Sequence, residues 1–423
     1  MASPSFQIIS RERTLESQTA NTGQRLYRRA QQLIPGGTQL LSKRPQMFLP
    51  GQWPAYYTRA KGAEVWDLDG NRYIDATHFG VGAPLLGFAD DDVDNAVVRA
   101  VRMGSASTLN CAEEVELAEL MVELHPWAEM VRFARGGGEI MAIAARVARA
   151  ATGRDKIAVC GYHGWCDWYL AANLHEDCAL DGHLLPGLQP AGVPRGLASS
   201  ARAFRYNDLA ALERIAAESP LAAIILEPAR NSGPAPGFLE GARRIADRAG
   251  AVLVFDEVTS GWRMNTGGIH LRLGVEPDLA GFAKGMGNGY PIAALIGKRS
   301  VMDAAQSTFI SSTSWSERIG PAAALAAIRK HRSLAVAEHL VATGERVIEG
   351  WRQAASAAGI RIAAGGLAPL AHFSFEGESA AALATLFTER MLGRGYLAGT
   401  SFYLLAHRRR SCTEHSHLLF VFE

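Results

Sequence analysis

Between residues 90 and 300, short apolar runs alternate with stretches whose apolar positions repeat at helical spacing. The runs fall at 131–134, 156–160, 222–226, 251–255, 278–282 and 291–296. Runs this short without polar alternation suit strands covered on both faces, so the pattern predicts a largely parallel sheet between helical layers. Upstream, residues 11–34 have a polar helical pattern stopped by Pro35, Gly36 and Gly37, which predicts an N-terminal arm. Residues 65–68 and 71–74, joined by Asp69-Gly70, predict a hairpin on a tight primed turn that opens the main domain. After Pro321 an Ala-rich helix runs through Ala358 to Gly359, followed by strands at 360–363 and 370–375 and a helix at 379–392. The predicted division is an arm at 1–60, a large α/β domain at 61–318 and a small α+β domain at 319–423, with no internal repeat.

Composition narrows the class. Lys and Arg number 43 and Asp and Glu 42, a net charge of +1 over 423 residues, so neither a nucleic acid nor a membrane surface is an expected partner. Hydrophobic residues at 48% argue against disorder. No apolar run approaches the ~18 residues of a membrane span, and residues 1–16 hold no signal-peptide core. The expectation is a soluble, cytoplasmic protein. Cys111, Cys160, Cys166, Cys178 and Cys412 are odd in number and form no Cys-x-x-Cys pair, which predicts reduced thiols. The twelve His form no His-Glu-x-x-His pattern, and no metal site is expected.

Ligands of such a sheet bind beyond the carboxyl ends of its strands, and four strand ends carry unusual residues. Arg135-Gly136-Gly137-Gly138-Glu139 leads into a helix, so its backbone N–H groups offer a phosphate site, or else only a tight turn. In Gly161-Tyr162-His163-Gly164 the Tyr162 ring is placed to stack on a flat heterocycle, against the alternative of a packed tyrosine and a structural histidine. Residues 251–255 deliver two adjacent acids, Asp256 and Glu257, which need a cation, such as a ring nitrogen, or a donor. The fourth end is Lys284, followed by Gly285, Gly287 and Gly289. Desolvation there lowers a lysine's pKa and makes it nucleophilic toward an aldehyde. Its Gly-x-Gly-x-Gly run has the wrong spacing for a dinucleotide loop, and Pro291 starts a strand where that motif needs a helix. All four ends suit one ligand, a phosphorylated pyridine aldehyde, pyridoxal 5'-phosphate.

The set resembles the class III aminotransferases, fold type I pyridoxal-phosphate enzymes, over about residues 35–402, and is most similar to the glutamate-1-semialdehyde 2,1-aminomutase branch. Further matching landmarks are Pro35-Gly36-Gly37, Trp66-Asp67-Leu68-Asp69-Gly70, Thr152-Gly153-Arg154-Asp155-Lys156, Glu227-Pro228 and Pro236-Gly237-Phe238-Leu239. The resemblance implies an internal aldimine on Lys284, Asp256 at the pyridine nitrogen, and Val258 and Tyr162 on opposite ring faces. It also implies a homodimer with a shared site, in which Ser312 or Thr313 completes the partner's phosphate cup, unless these are plain surface hydroxyls. Glu227 either orients hydrogen bonds on the cofactor side or is structural. Arg263 either clamps a substrate carboxylate or is a solvated or structural ion pair.

Three departures stand out. Gly136-Gly137-Gly138 lacks the usual hydroxyl, the loop 316–321 lacks a Gly-Asn-Pro run, and 408–412 and 417–423 do not match the family's end. The implied activity is transfer of an amino group between a small amine or amino acid and a carbonyl acceptor. An aminomutase and an epimerase are the alternatives on the same cofactor. A non-catalytic dinucleotide-binding or scaffolding protein would have no use for Lys284.

Overall fold

A computed structural model of the chain describes residues 22–183 and 187–406. The predicted part of the arm at 11–21, the segments 408–412 and 417–423, and Cys412 lie outside the described residues. Within them the arm is a helix, Thr22–Leu33, and the turn after it contains Gly36 and Gly37 at φ 74° and 77°.

Each apolar run is a strand, shifted by at most two residues. The runs become β4 (Met130–Ala134), β5 (Lys156–Cys160), β7 (Leu221–Leu226), β8 (Val252–Asp256), β9 (Leu279–Phe282) and β10 (Ala293–Gly297). With β6 (Ala201–Ala203) they form a seven-stranded sheet in the order β4-β10-β9-β8-β7-β5-β6. Neighbours from β6 to β9 pair in parallel, whereas β10 is antiparallel to both β9 and β4. The α/β class and the largely parallel sheet therefore hold.

All six residues of β7 are buried, as expected of a central strand packed on both faces. Two apolar clusters result, one on each side. Ile140, Met141 and Ala144 of the helix Gly137–Thr152 cover one face, and Phe238, Leu239 and Ile245 of the helix Phe238–Ala249 cover the other. β6 escaped prediction because it is a three-residue edge strand, Ala-Arg-Ala, with no apolar run to announce it.

Two local expectations are corrected. The hairpin forms from β2 (Glu64–Asp67) and β3 (Arg72–Ala76), with Trp66 opposite Arg72. Its turn, however, is not the primed type, because Gly70 is left-handed at φ 84° and Asp69 is not. The Asp67 carboxylate accepts from the N–H groups of Asp69 and Asn71, and this stabilises a longer loop closed by one left-handed glycine. The hairpin also joins β1 (Tyr57–Lys61) and β13 (Tyr396–Ala398) in a separate four-stranded sheet, in the order β1-β2-β3-β13. It thereby ties the start of the fold to residues near its end.

The Ala-rich stretch is two helices, Ile319–Ser333 and Val336–Ala357, broken at Ala335 with φ 49°. Pro321 lies in the first turn, where its missing N–H costs nothing. The predicted strands at 360–363 and 370–375 are β11 (Ile362–Gly365) and β12 (Leu370–Phe375), which with β14 (Ser401–Tyr403) make a third sheet in the order β11-β12-β14. The helix predicted at 379–392 is Ala380–Gly393. Among the described residues, no helix is long and apolar enough to cross a membrane.

Candidate active site

The carboxyl ends of β4, β5, β8 and β9 open onto one cavity of about 320 Å³. Gly137, Gly138, Tyr162, His163, Asp256, Val258 and Lys284, all singled out in the sequence, line it. Arg135, Trp165 and Thr259 line it as well.

Glycine is needed where the loops meet. A side chain on Gly137 would come within 2.9 Å of the Val258 side chain, and one on Gly164, which has φ 101°, within 2.7 Å of the Gly138 Cα. Backbone and backbone touch only because neither carries a Cβ. At the mouth of the helix Gly137–Thr152, the Glu139 carboxylate accepts from the N–H groups of Arg135 (3.0 Å) and Gly136 (2.8 Å). The next N–H groups, of Gly137 and Gly138, have no intrahelical acceptor and sit at the positive end of the helix dipole.

Asp256 and Glu257 are adjacent, so their side chains leave the strand on opposite faces. Glu257 is fully buried, with His270 Nδ1 at 2.8 Å and the Ser260 hydroxyl donating to it. Burial alone would raise its pKa, but the contacts with His270 and Ser260 outweigh it and hold the carboxyl below its ordinary range. Asp256 faces the cavity while only 2% exposed. Its Oδ1 accepts from the Val258 N–H at 3.0 Å, and its Oδ2 lies 2.8 Å from His163 Nδ1.

Lys284 follows β9 in a left-handed conformation at φ 46°, strained for a long side chain. Its Nζ donates to Thr259 Oγ1 at 2.8 Å. Burial first, then the charges of Arg230 and Arg263, push its pKa down to about 8.

Glu227 stands behind the wall rather than in the cavity. Its Oε2 accepts from the Tyr162 N–H at 3.0 Å, and Arg230 Nη1 pairs with both of its oxygens. These contacts hold the Tyr162 loop from outside the cavity. Ser312 and Thr313 are exposed and do not line the cavity. Arg263 is only 1% exposed, and its guanidinium donates to the carbonyls of Thr259 and Gly82. It does not line the cavity and has no ion pair among the described residues, and its Nη1 is buried without a hydrogen-bond partner. Thr259, Arg135 and Arg230 were not predicted to take part. A signal for Arg230 was present in Glu227-Pro228-Ala229-Arg230, an acid and a base three residues apart at a strand end.

These groups fit pyridoxal 5'-phosphate. The glycine cradle at the helix N-terminus suits the phosphate, a desolvated Asp256 suits a cationic ring nitrogen, and a lysine of lowered pKa suits the aldehyde.

The aminotransferase class-III family matches residues 50–367. The chain is 37% identical over 313 residues to the 3-aminobutyryl-CoA aminotransferase of Cloacimonas acidaminovorans, covering 72% of this chain and 71% of that protein. It is 44% identical over 260 residues to the glutamate-1-semialdehyde 2,1-aminomutase of Gemmatimonas aurantiaca, covering 60% of this chain and 58% of that one. Its fold superposes with a TM-score of 0.84 on the FumI protein of Sphingopyxis sp. MTA144 in its PLP internal aldimine form, at 27% identity over 95% of both chains. The chain belongs to the class-III aminotransferases, pyridoxal-phosphate-dependent enzymes of fold type I.

Two outcomes follow from the geometry. Asp256→Asn keeps cofactor bound but lowers turnover about a hundred- to a thousandfold, since a neutral amide cannot hold a proton on a ring nitrogen. Steady-state rates normalised to bound cofactor test this, and near-normal turnover would refute the assignment. Second, capture of pyridoxal phosphate by the apoprotein requires the free amine of Lys284. A lowered pKa places that amine in its reactive form at lower pH, so the capture rate rises with pH with its midpoint near 8 and levels off above it. Stopped-flow absorbance across pH measures it. A midpoint at the ~10.4 of an ordinary lysine would show the amine to be solvated.

Proposed function

We propose that the protein is a net transaminase, moving an amino group from a small amine or amino acid to a separate carbonyl acceptor, with Lys284 and Asp256 as its catalytic residues. The observation that carries this is one cavity holding the Lys284 amine, the Asp256 carboxylate and a glycine-lined helix N-terminus. Bound pyridoxal phosphate supplies a carbonyl for the amino group and an electron-accepting ring. Asp256 holds the proton on the ring nitrogen, and His163, 2.8 Å away, fixes the carboxylate. Lys284 Nζ moves a proton at the amine-bearing carbon of the substrate. Val258 and Tyr162, both on the cavity wall, would flank the ring, and Glu227 holds the Tyr162 loop in place.

A mutase must retain its intermediate behind a lid while the amine returns to a neighbouring carbon. Here the cavity opens beside Trp165, which is 74% exposed, and the 316–321 loop departs from the family pattern. The second reading, an aminomutase, draws its support from the 44% identical relative.

Donors alone convert the cofactor once per site to its amine form and release one carbonyl product, and an added acceptor restores the starting spectrum. Absorbance spectra and product analysis measure this. Isomerisation of glutamate-1-semialdehyde without acceptor, with no released carbonyl, would replace the proposal with the mutase.

The proposal includes a cytoplasmic homodimer in which Ser312 or Thr313 completes the partner's phosphate cup. Both are exposed, and Arg135, at the cavity, binds the Trp315 and Glu317 carbonyls of the same turn. The expected outcomes are a dimer in sedimentation and weaker cofactor binding in the Ser312→Ala, Thr313→Ala double variant. A monomer that retains full cofactor affinity would remove this part.

A further inference from the structure

Three guanidinium groups surround Lys284, and they differ in what occupies their donors. Arg263 donates through Nε and Nη2 to the Thr259 and Gly82 carbonyls, which leaves only a buried Nη1 without a partner and no paired edge for a carboxylate. Both terminal nitrogens of Arg135 are engaged, by the carbonyls of Ala134, Trp315 and Glu317 and by the Glu317 carboxylate, which leaves only a buried Nε without a partner.

Arg230 is different. Its Nη1 alone engages Glu227, at 3.2 and 3.0 Å from the two oxygens. Its Nε and Nη2 make no hydrogen bond with any described residue, and these two N–H groups form the edge that matches a carboxylate in bidentate fashion. The side chain is only 14% exposed and Glu227 5%, so the charge is fixed in place and largely desolvated.

Arg230 also faces a cavity of about 510 Å³, together with Gly161, Glu227, Arg205, Asn231 and Ser232. That cavity and the one holding Lys284 share the turn after β5, since Gly161 lines one and Tyr162 the other. The guanidinium carbon lies 5.9 Å from the Tyr162 ring centroid. Arg205, on the same cavity, is exposed and has no ion pair among the described residues, so two arginines there face a single carboxylate. Electrostatically the position is close to the chemistry, because among charged neighbours Arg230 contributes most to lowering the Lys284 pKa.

We infer that Arg230 is a specificity-determining residue, whose free Nε–Nη2 edge receives the carboxylate of an amino-acid substrate while Glu227 holds the guanidinium from the other side. This rests on the transaminase proposal and adds a substrate class, amines that carry a carboxylate a short chain away from the reacting carbon. Arg230 takes the clamping role that the sequence offered to Arg263. The Glu227 pairing leaves the guanidinium preorganised, so a carboxylate gains two charge-assisted bonds without first ordering a flexible side chain.

The test uses the holoenzyme and matched donors, 3-aminopropanoate against propylamine and 4-aminobutanoate against butylamine, with donor conversion read by the change in cofactor absorbance. In Arg230→Met, the ratio of kcat/KM for the carboxylated donor to that for its neutral match falls about ten- to a hundredfold, chiefly through KM. Propanoate, a carboxylate with no amine, competes with donor in the wild type and loses affinity by a similar factor in the variant. Arg230→Lys retains the charge opposite Glu227 but not the fork, so it binds cofactor normally and gives an intermediate ratio. It carries the test if the methionine variant does not fold. Equal losses for carboxylated and neutral donors, or unchanged propanoate competition, overturn the assignment of Arg230 alone. No conversion by any amine overturns the transaminase proposal, and this inference with it.

Discussion

A buried carboxylate at the end of an otherwise apolar strand is the constraint around which the centre of this molecule is arranged. β8 brings Asp256 into the middle of the sheet at 2% exposure, where an unpaired charge would cost several kcal/mol. The carboxylate is met by the Val258 N–H and by His163 Nδ1. The second contact fixes the loop after β5 against the end of β8, which in turn places Tyr162 on the cavity wall. Glu227, at the end of β7, holds the same loop from behind by accepting from the Tyr162 N–H. Three neighbouring strands are thus coupled through two buried acids, and the walls of the site are set before any ligand enters. The same logic separates Asp256 from Glu257. Strand alternation sends one to the cavity and the other to the opposite face, where His270 and Ser260 satisfy it.

The seven-stranded sheet was largely legible because burial on both faces leaves a simple mark, an uninterrupted apolar run, and every such run became a strand. What escaped was structure whose cause is not local apolarity. β6 is an edge strand with an Arg at its centre, Ala335 breaks a continuous Ala-rich pattern with a left-handed residue, and the Asp67 side chain changes the turn that Asp69-Gly70 would otherwise favour. At the hairpin a side chain, and at β6 a tertiary pairing, overrides the local propensity.

The site divides along the same line. Gly137, Tyr162, Asp256 and Lys284 each follow a recognisable strand, so their convergence could be read from the rule that ligands bind at carboxyl ends. The roles of the arginines could not. Arg263 sits only seven residues beyond Asp256 and looked available, yet the fold turns it onto the carbonyls of Thr259 and Gly82, a residue far away in sequence. Arg230 gives no sign in sequence that one nitrogen would be bound and two left free, because that depends on how the loop after β7 lies across the cavity. Thr259 becomes a partner of Lys284 only when β8 and β9 are neighbours.

The hydroxyl-free phosphate loop can be separated into a part that packing requires and a part that it does not. At Gly137 any side chain would press on Val258 at 2.9 Å, and Val258 is itself tied to Asp256 through its N–H, so moving it would disturb the carboxylate. Gly136 and Gly138 are different, because a Cβ there finds its nearest neighbour at 3.6 and 3.5 Å, ordinary contact distances. Sterics therefore explain one glycine of the three. With no hydroxyl at the other two positions, a phosphate held here would rest on backbone N–H groups, the helix dipole and, in the proposed dimer, the partner's hydroxyl. Nor does Arg135 restore a net positive charge, since Glu317 pairs with it at 2.8 Å. Within one chain the cradle is built from backbone geometry rather than from side-chain donors, and it depends on the close approach of the loops that carry Gly138 and Gly164.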